Sequence, residues 1–175
     1  MQHFFLMARF NAWANSRLYE TVSHLPDADY RRDRGAFFGS VHRTLNHLLV
    51  VDRLWTGRIE GIDRGVHSLD QMLYEDFMSL RLARCEEDAR LIRLAERLTP
   101  EQLASPIVYR RIIGEGLEET RIDHILLTLF NHQTHHRGQV HVLLTQSGVT
   151  PPPLDVIFFL EEIGLSRTPA LPAAQ

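Results

Sequence analysis

Apolar positions recur at three- and four-residue spacing through four long stretches of the chain, the signature of amphipathic helices. The first runs from His3 to Leu25. Leu6, Phe10, Trp13 and Ala14 make one face, Leu18 and Val22 extend it, and Pro26 with Asp27-Ala28-Asp29 ends it. Trp13 is expected in the core. Residues 27–39 are polar, carry Gly35 and Gly39, and read as a loop. Ser40 is placed to cap a second helix reaching about Ile59. Val41, Leu45, Leu48, Trp55 and Ile59 form one stripe of it, and His47, Val51 and Leu54 form another beside the first. Such a helix packs on more than one side, so His47 is expected to point into a bundle.

Gly57, Gly61 and Gly65 mark a second loop, after which Ser68 and Gln71 offer a capping box for a third helix reaching about Leu98. Met72, Leu73, Phe77, Leu80 and Leu91 are loosely in phase along it. Glu86, Glu87 and Asp88 beside Arg81, Arg84 and Arg90 read as a solvated, ion-paired face, and Cys85 as a small buried or half-buried residue. Thr99-Pro100 stops this helix. The β-rich stretch 106–113, the turn Gly114-Glu115-Gly116 and residues 117–120 predict a small hairpin that must pack on the helices to be stable. A fourth helix runs from about Arg121 to Gln146, with Gly148 as a left-handed cap. Pro151 to Pro153 force an extended linker, Leu154 to Gly164 read as a short final helix, and the last residues form a tail. The fold class is therefore all-α: a four-helix bundle with a hairpin inserted before the fourth long helix. One domain over residues 1–165 and a tail over 166–175 are expected.

Composition narrows the function. The chain has 175 residues, 44% hydrophobic and 23% charged, which is ordinary globular composition. A net charge of -3 gives no electrostatic footprint for nucleic acid, and the cluster Arg31, Arg32 and Arg34 is flanked by acids. No apolar run approaches the roughly 20 residues of a membrane span. No signal peptide is read at the N-terminus, and Cys85 as the only cysteine excludes an internal disulfide and a thiolate zinc site. A cytoplasmic location is expected. Neither a phosphate loop nor a nucleophile elbow is present.

The chemistry concentrates in the fourth helix. Five of the ten histidines fall between His124 and His141. The stripe of Ile122, Ile125, Leu126, Leu129, Val140, Leu143 and Leu144 passes through Gln133 and His136, with His132 on its margin. Imidazoles thus interrupt a core-facing stripe, where each needs a partner. His132 and His136 are one turn apart and project from the same side, as two ligands of one metal ion do. They fit equally a pair of core histidines bonded to carbonyls. A third histidine from another helix would decide between these, and His47 is the candidate. Three imidazoles with an open fourth position are the catalytic zinc pattern, and nickel, iron or manganese also accept such ligands. His135 and His124 point about 100–120° away from His136, though His135 can reach a pocket rim. Gln139, three residues on, can hydrogen-bond to His136. Asp52 lies inside the first stripe of the second helix. It can orient a ligand histidine, pair with Arg17 or accept from a buried hydroxyl. Arg137 can anchor an anionic substrate or form a surface salt bridge.

Asn11-Ala12-Trp13-Ala14-Asn15, Asn46-His47-Leu48-Leu49 and above all Asn131-His132-Gln133-Thr134-His135-His136-Arg137-Gly138-Gln139 carry a resemblance to a known family. Over about residues 1–162 the chain resembles the DinB-like family, damage-inducible bundle proteins related to bacillithiol- and mycothiol-dependent S-transferases. The resemblance implies a four-helix bundle, commonly a homodimer. It also implies a divalent metal on three histidines, which map onto His47, His132 and His136. Zinc or nickel is the first expectation, with iron and manganese behind. Some members of the family transfer a low-molecular-weight thiol to an electrophile or isomerise a thiol adduct, so a small-molecule substrate is implied. A metal-dependent transferase or hydrolase and a non-catalytic metal- or ligand-binding stress protein are the two readings. His135 stands where an aromatic such as tyrosine is common in the family.

Overall fold

A computed structural model describes residues 2–167. The four long helices are α1 (Gln2–Val22), α3 (Val41–Glu60), α4 (Phe77–Arg97) and α6 (Ile122–Gln146). Between and after them lie α2 (Asp27–Arg31), α5 (Pro100–Ala104), the strands β1 (Pro106–Arg110) and β2 (Leu117–Arg121), and α7 (Val156–Glu162). The expected tail lies, from residue 168 onward, outside the described residues. In the bundle α1 packs on α4 and α6, and α3 packs on α6 and α4. Leu18, Leu45, Leu49, Leu80 and Leu144 fill one end of the core, and Leu91, Leu94, Leu126 and Leu129 the other. None of the described helices is long and apolar enough to cross a membrane.

Local chemistry fixes the helix ends. Ser40 caps α3 by accepting from the Arg43 amide at 3.2 Å, and Gly61 closes it at φ 68°, a conformation that costs a side-chain-bearing residue about 1 kcal/mol or more. Thr99 and Gln102 form a capping box on α5, with Pro100 in the first turn. The antiparallel hairpin pairs Val108 with Glu119, and Trp55 of α3 meets Tyr109 of β1 edge-on at 5.2 Å between ring centroids. Phe10, Trp13 and Phe159 hold α7 against α1. Trp13 is only half-buried, and its indole N–H donates to Glu162 at 3.0 Å.

Three elements differ from the sequence reading, one of them the short helix α5, which follows directly on the expected stop at Thr99-Pro100. A short helix, α2, interrupts the loop expected over 27–39. The third long helix begins at Phe77, capped by Asp76 at 2.7 Å from the Ser79 amide, and residues 62–76 form an irregular segment. No capping box forms at Ser68: its hydroxyl turns to Asp70, and Gln71 accepts from the His67 amide. The cause lies in α3. Fully buried Asn46 accepts from the amides of Leu73 and Tyr74, both at 3.0 Å, and its own amide donates to the Tyr74 carbonyl at 3.1 Å. His42 is 2.9 Å from the same carbonyl. These side-chain bonds satisfy backbone groups that would otherwise favour a helix.

The charged face expected on α4 is also corrected. Arg84, Glu87 and Asp88 are buried, whereas Cys85 is exposed. Arg84 lies 2.7 Å from Asp52 of α3 and 3.0 Å from Asp88, in ion pairs without hydrogen-bond alignment. Asp88 accepts from Asn15 and Asn11 of α1 at 3.0 and 3.2 Å. Gln133 of α6 donates to Asp52 at 2.6 Å. Arg137 is buried rather than in a surface salt bridge: it donates to Asn11, to Asn15 at 3.3 Å and to Gln133 at 3.2 Å. Glu87 takes Thr56 and Arg64, each at 2.7 Å. A buried layer of paired charges on α3, α4 and α6, completed by the amides Asn11 and Asn15 of α1, therefore crosses all four long helices.

Candidate metal centre

The layer sets the rotation of α6, and the neighbouring positions on that helix are His132 and His136. They face His47 of α3. One ring nitrogen from each of these three residues lies within 4.8 Å of the other two. His47 Nε2 and His132 Nε2 are 2.9 Å apart, and the ring centroids of His132 and His136 are 4.3 Å apart. The rings stand at steep angles, so their edges converge on a common point instead of stacking.

Outer partners set the tautomers. His47 donates its Nδ1–H to the Leu69 carbonyl at 2.7 Å. His136 donates its Nδ1–H to Gln139 Oε1 at 2.7 Å. Both Nε2 atoms are thereby left as lone-pair donors facing inward. Gln139 in turn donates to His135 Nε2 at 3.2 Å, which places His135 at the rim of the site. His132 Nδ1 is buried without a hydrogen-bond partner. Burial lowers the His47 pKa to about 4 and that of His132 to about 3, with the neighbouring imidazoles adding to the fall. Burial also lowers the pKa of His136, against a smaller opposing effect of Gln139. All three rings are neutral at physiological pH, the state a metal requires. The donor set fits a divalent cation: converging neutral imidazoles, two of them with fixed tautomers.

A cleft of about 1150 Å³ opens on His47, His136, His135 and Gln139. Phe38 closes one side. Its ring stacks on His47 at 3.9 Å between centroids and leans on His136 at 5.5 Å. Leu69 and Met72 from the 62–76 segment, and Ile112 and Ile113 from the hairpin turn, line the cleft further out.

Asp52 does not orient a ligand histidine and does not meet Arg17. It is held by Arg84 and Gln133 in the charged layer, and Arg17 pairs with Glu162. Burial raises the Asp52 carboxyl to about 6, against the pull of Arg84 and Gln133. His42 bonds to Tyr74 and Arg31, and His124 is exposed. Phe38 and the Leu69 carbonyl escape the sequence reading. The pair Phe37-Phe38 between Gly35 and Gly39 is a visible signal for the first, as an apolar step inside a polar loop. A backbone carbonyl has no such signal.

A helical bundle whose two facing helices place three histidines to hold a metal ion is the class of protein that fold and site define. The chain belongs to the DinB family, whose model matches residues 1–165. It is 26% identical over 162 residues to "Protein DinB" of Bacillus subtilis (strain 168), covering 89% of this chain and 92% of that one. A crystal structure of a DinB-like protein from Bacillus cereus ATCC 10987 superposes with a TM-score of 0.62 at 19% identity, over 80% of this chain and 89% of that chain. A DinB-like protein from Bacillus subtilis gives a TM-score of 0.62 at 17% identity, over 85% of this chain and 96% of that chain. These two structures support the fold alone.

Proposed function

We propose that His47, His132 and His136 bind one divalent metal ion per chain, and that the protein uses it on a small molecule in the adjoining cleft. The reaction proposed is thiol S-transfer, or a related hydrolysis or isomerisation. The observation that carries this reading is the convergence of three neutral imidazoles at a site open to a large cleft. Among the described residues no fourth His, Cys, Asp or Glu joins the cluster, which leaves a coordination position for substrate. A divalent ion there acidifies a thiol or water that reaches the open position and polarises a carbonyl. The chain's own contributions are distinct. Leu69 and Gln139 orient two of the rings, Phe38 keeps water from one side of the centre, and His135 stands at the rim as an accessible imidazole. Zinc and nickel suit three imidazoles best, with iron and manganese next.

The test is metal uptake followed by turnover. Untagged protein should take up one equivalent of zinc or nickel, and His132→Ala should lose it. The loaded protein should then consume a low-molecular-weight thiol in the presence of an electrophile. Stoichiometric metal without turnover for any thiol, ester or amide offered would leave a metal-binding protein and remove the enzyme. Uptake unchanged in His132→Ala would remove the metal centre itself.

A further inference from the structure

Five charged residues line the cleft: Arg31, Asp33, Arg43, Asp70 and Glu75. Four have partners. Arg31 bonds to Asp27 at 3.0 Å and contacts Glu75 at 3.5 Å. Asp33 accepts from the Gly35 amide at 2.9 Å, and Asp70 accepts from Ser68. Arg43 differs. Its backbone amide is taken by Ser40, but among the described residues its guanidinium forms no hydrogen bond or ion pair, although its charge is felt at Asp70.

Arg43 is exposed at the cleft, at a position the helix dipole mildly disfavours for a cation. It lies in the first turn of α3, where the helix dipole is positive and an acidic residue is favoured, and that turn holds no acid. Arg43 is also four residues before His47. The two therefore share one face of α3, with their backbones about 6 Å apart along the axis. An unpaired cation one turn from the metal centre, in the same cleft, is placed to receive the charged end of a substrate.

We propose that Arg43 is a specificity-determining residue that binds a carboxylate of the substrate, so that the cleft selects small molecules with one negative charge beside the group that reaches the metal. A guanidinium fork matches a carboxylate in two parallel hydrogen bonds. A single charge is favoured over a phosphate dianion because three carboxylates and two guanidiniums already line the cleft. Phe37 is 84% exposed and Ile113 74% exposed on the rim, which gives the uncharged body of such a molecule apolar surface to cover.

The inference rests on the metal reading above, and the test separates the two. Cobalt-loaded protein is titrated with two matched pairs of metal-binding probes. One pair is 3-mercaptopropionate and its amide, and the other is succinic monohydroxamate and its amide. Calorimetry and the cobalt spectrum report binding, and cobalt uptake is measured independently. The carboxylate member of a pair should bind about tenfold tighter than its amide. Arg43→Gln should bring the two members to within about twofold of each other by weakening the carboxylate alone, and Arg43→Lys should restore part of the difference. Discrimination by the hydroxamate pair without binding of either thiol would support Arg43 and remove the thiol reading. Equal binding of acid and amide by the native protein, or equal weakening of both in Arg43→Gln, would overturn the role of Arg43. So would failure of all four probes to bind, with cobalt uptake showing whether the metal centre failed as well.

Discussion

At the scale of single residues, Gln139 deserves a test because it touches His136 and not the metal position. Its carbonyl oxygen fixes the His136 tautomer, and its amide reaches His135. Gln139→Leu keeps the size of the side chain and removes both bonds. Metal affinity is expected to fall about 10- to 100-fold, the usual cost of losing an outer partner of a ligand histidine, with little change in stability. Competition with a chelator measures it, and an unchanged dissociation constant would show that the helix alone orients the ring. Gly138, next to it, invites the opposite experiment. A glycine inside a helix suggests close approach of a neighbour, yet Gly138 is exposed and a Cβ there would meet nothing within 4 Å. Gly138→Ala should therefore stabilise the protein by about 0.5–1 kcal/mol in urea unfolding, with metal affinity unchanged. Loss of stability would reveal a contact that the single chain does not make.

At the scale of elements, α6 does two tasks with adjacent residues. Gln133 and Arg137 join the charged layer, while His132 and His136 face His47 of α3 and His136 also lines the cleft. The three-and-four spacing of α6 is legible in the sequence, and so is the stripe that carries His47. The contact between the two helices is not, because it depends on how each is rolled in the bundle. The beginning of the third long helix is illegible for another reason. Met72 and Leu73 are in phase with Phe77 and Leu80, and bonds from a different helix, those of buried Asn46 to Leu73 and Tyr74 and of His42 to the Tyr74 carbonyl, hold the backbone there out of α geometry. The charges of α4 mislead similarly. Arg84 and Asp88 at i and i+4 read the same on a wet surface as in a core, and four of the partners that make burial tolerable (Asn11, Asn15, Asp52 and Gln133) lie on three other helices. Arg84 is the test of that layer. Arg84→Met keeps the bulk and leaves Asp52 and Asp88 buried without their shared cation. The cost is expected to be about 3–5 kcal/mol in urea unfolding. A loss below about 1 kcal/mol would mean that the two carboxyls protonate or rehydrate at little cost.

At the scale of the whole molecule, the centre ties α3 to α6 across 85 residues of chain, so its occupancy and its protonation both enter the folding equilibrium. A ligand that binds only the folded state adds RT ln(1 + [L]/Kd), about 2.7 kcal/mol at a hundredfold excess over Kd. Zinc or nickel should raise the unfolding midpoint of the native protein and leave that of His132→Gln unmoved. The metal-free protein carries its own pH dependence. The imidazoles of His47 and His132 titrate near 6.5 when unfolded but are depressed to about 4 and about 3 by burial in the fold. Between those limits the unfolded chain binds more protons, so stability rises with pH. Their contribution is complete above about pH 6.5 and is lost as the pH falls through the folded values. Asp52 acts in the opposite sense. Burial raises it from 3.8 to about 6, so its contribution is complete below the unfolded value and is lost as the pH rises through about 6. The two trends overlap between about pH 4 and 6 and partly cancel in the native protein. A difference measurement separates them. Urea midpoints of metal-free native protein and of the double variant His47→Gln/His132→Gln, taken from pH 4 to 8, should diverge progressively on acidification, with the native protein losing more. Parallel curves would mean that the two rings titrate normally in the fold and that burial does not depress them.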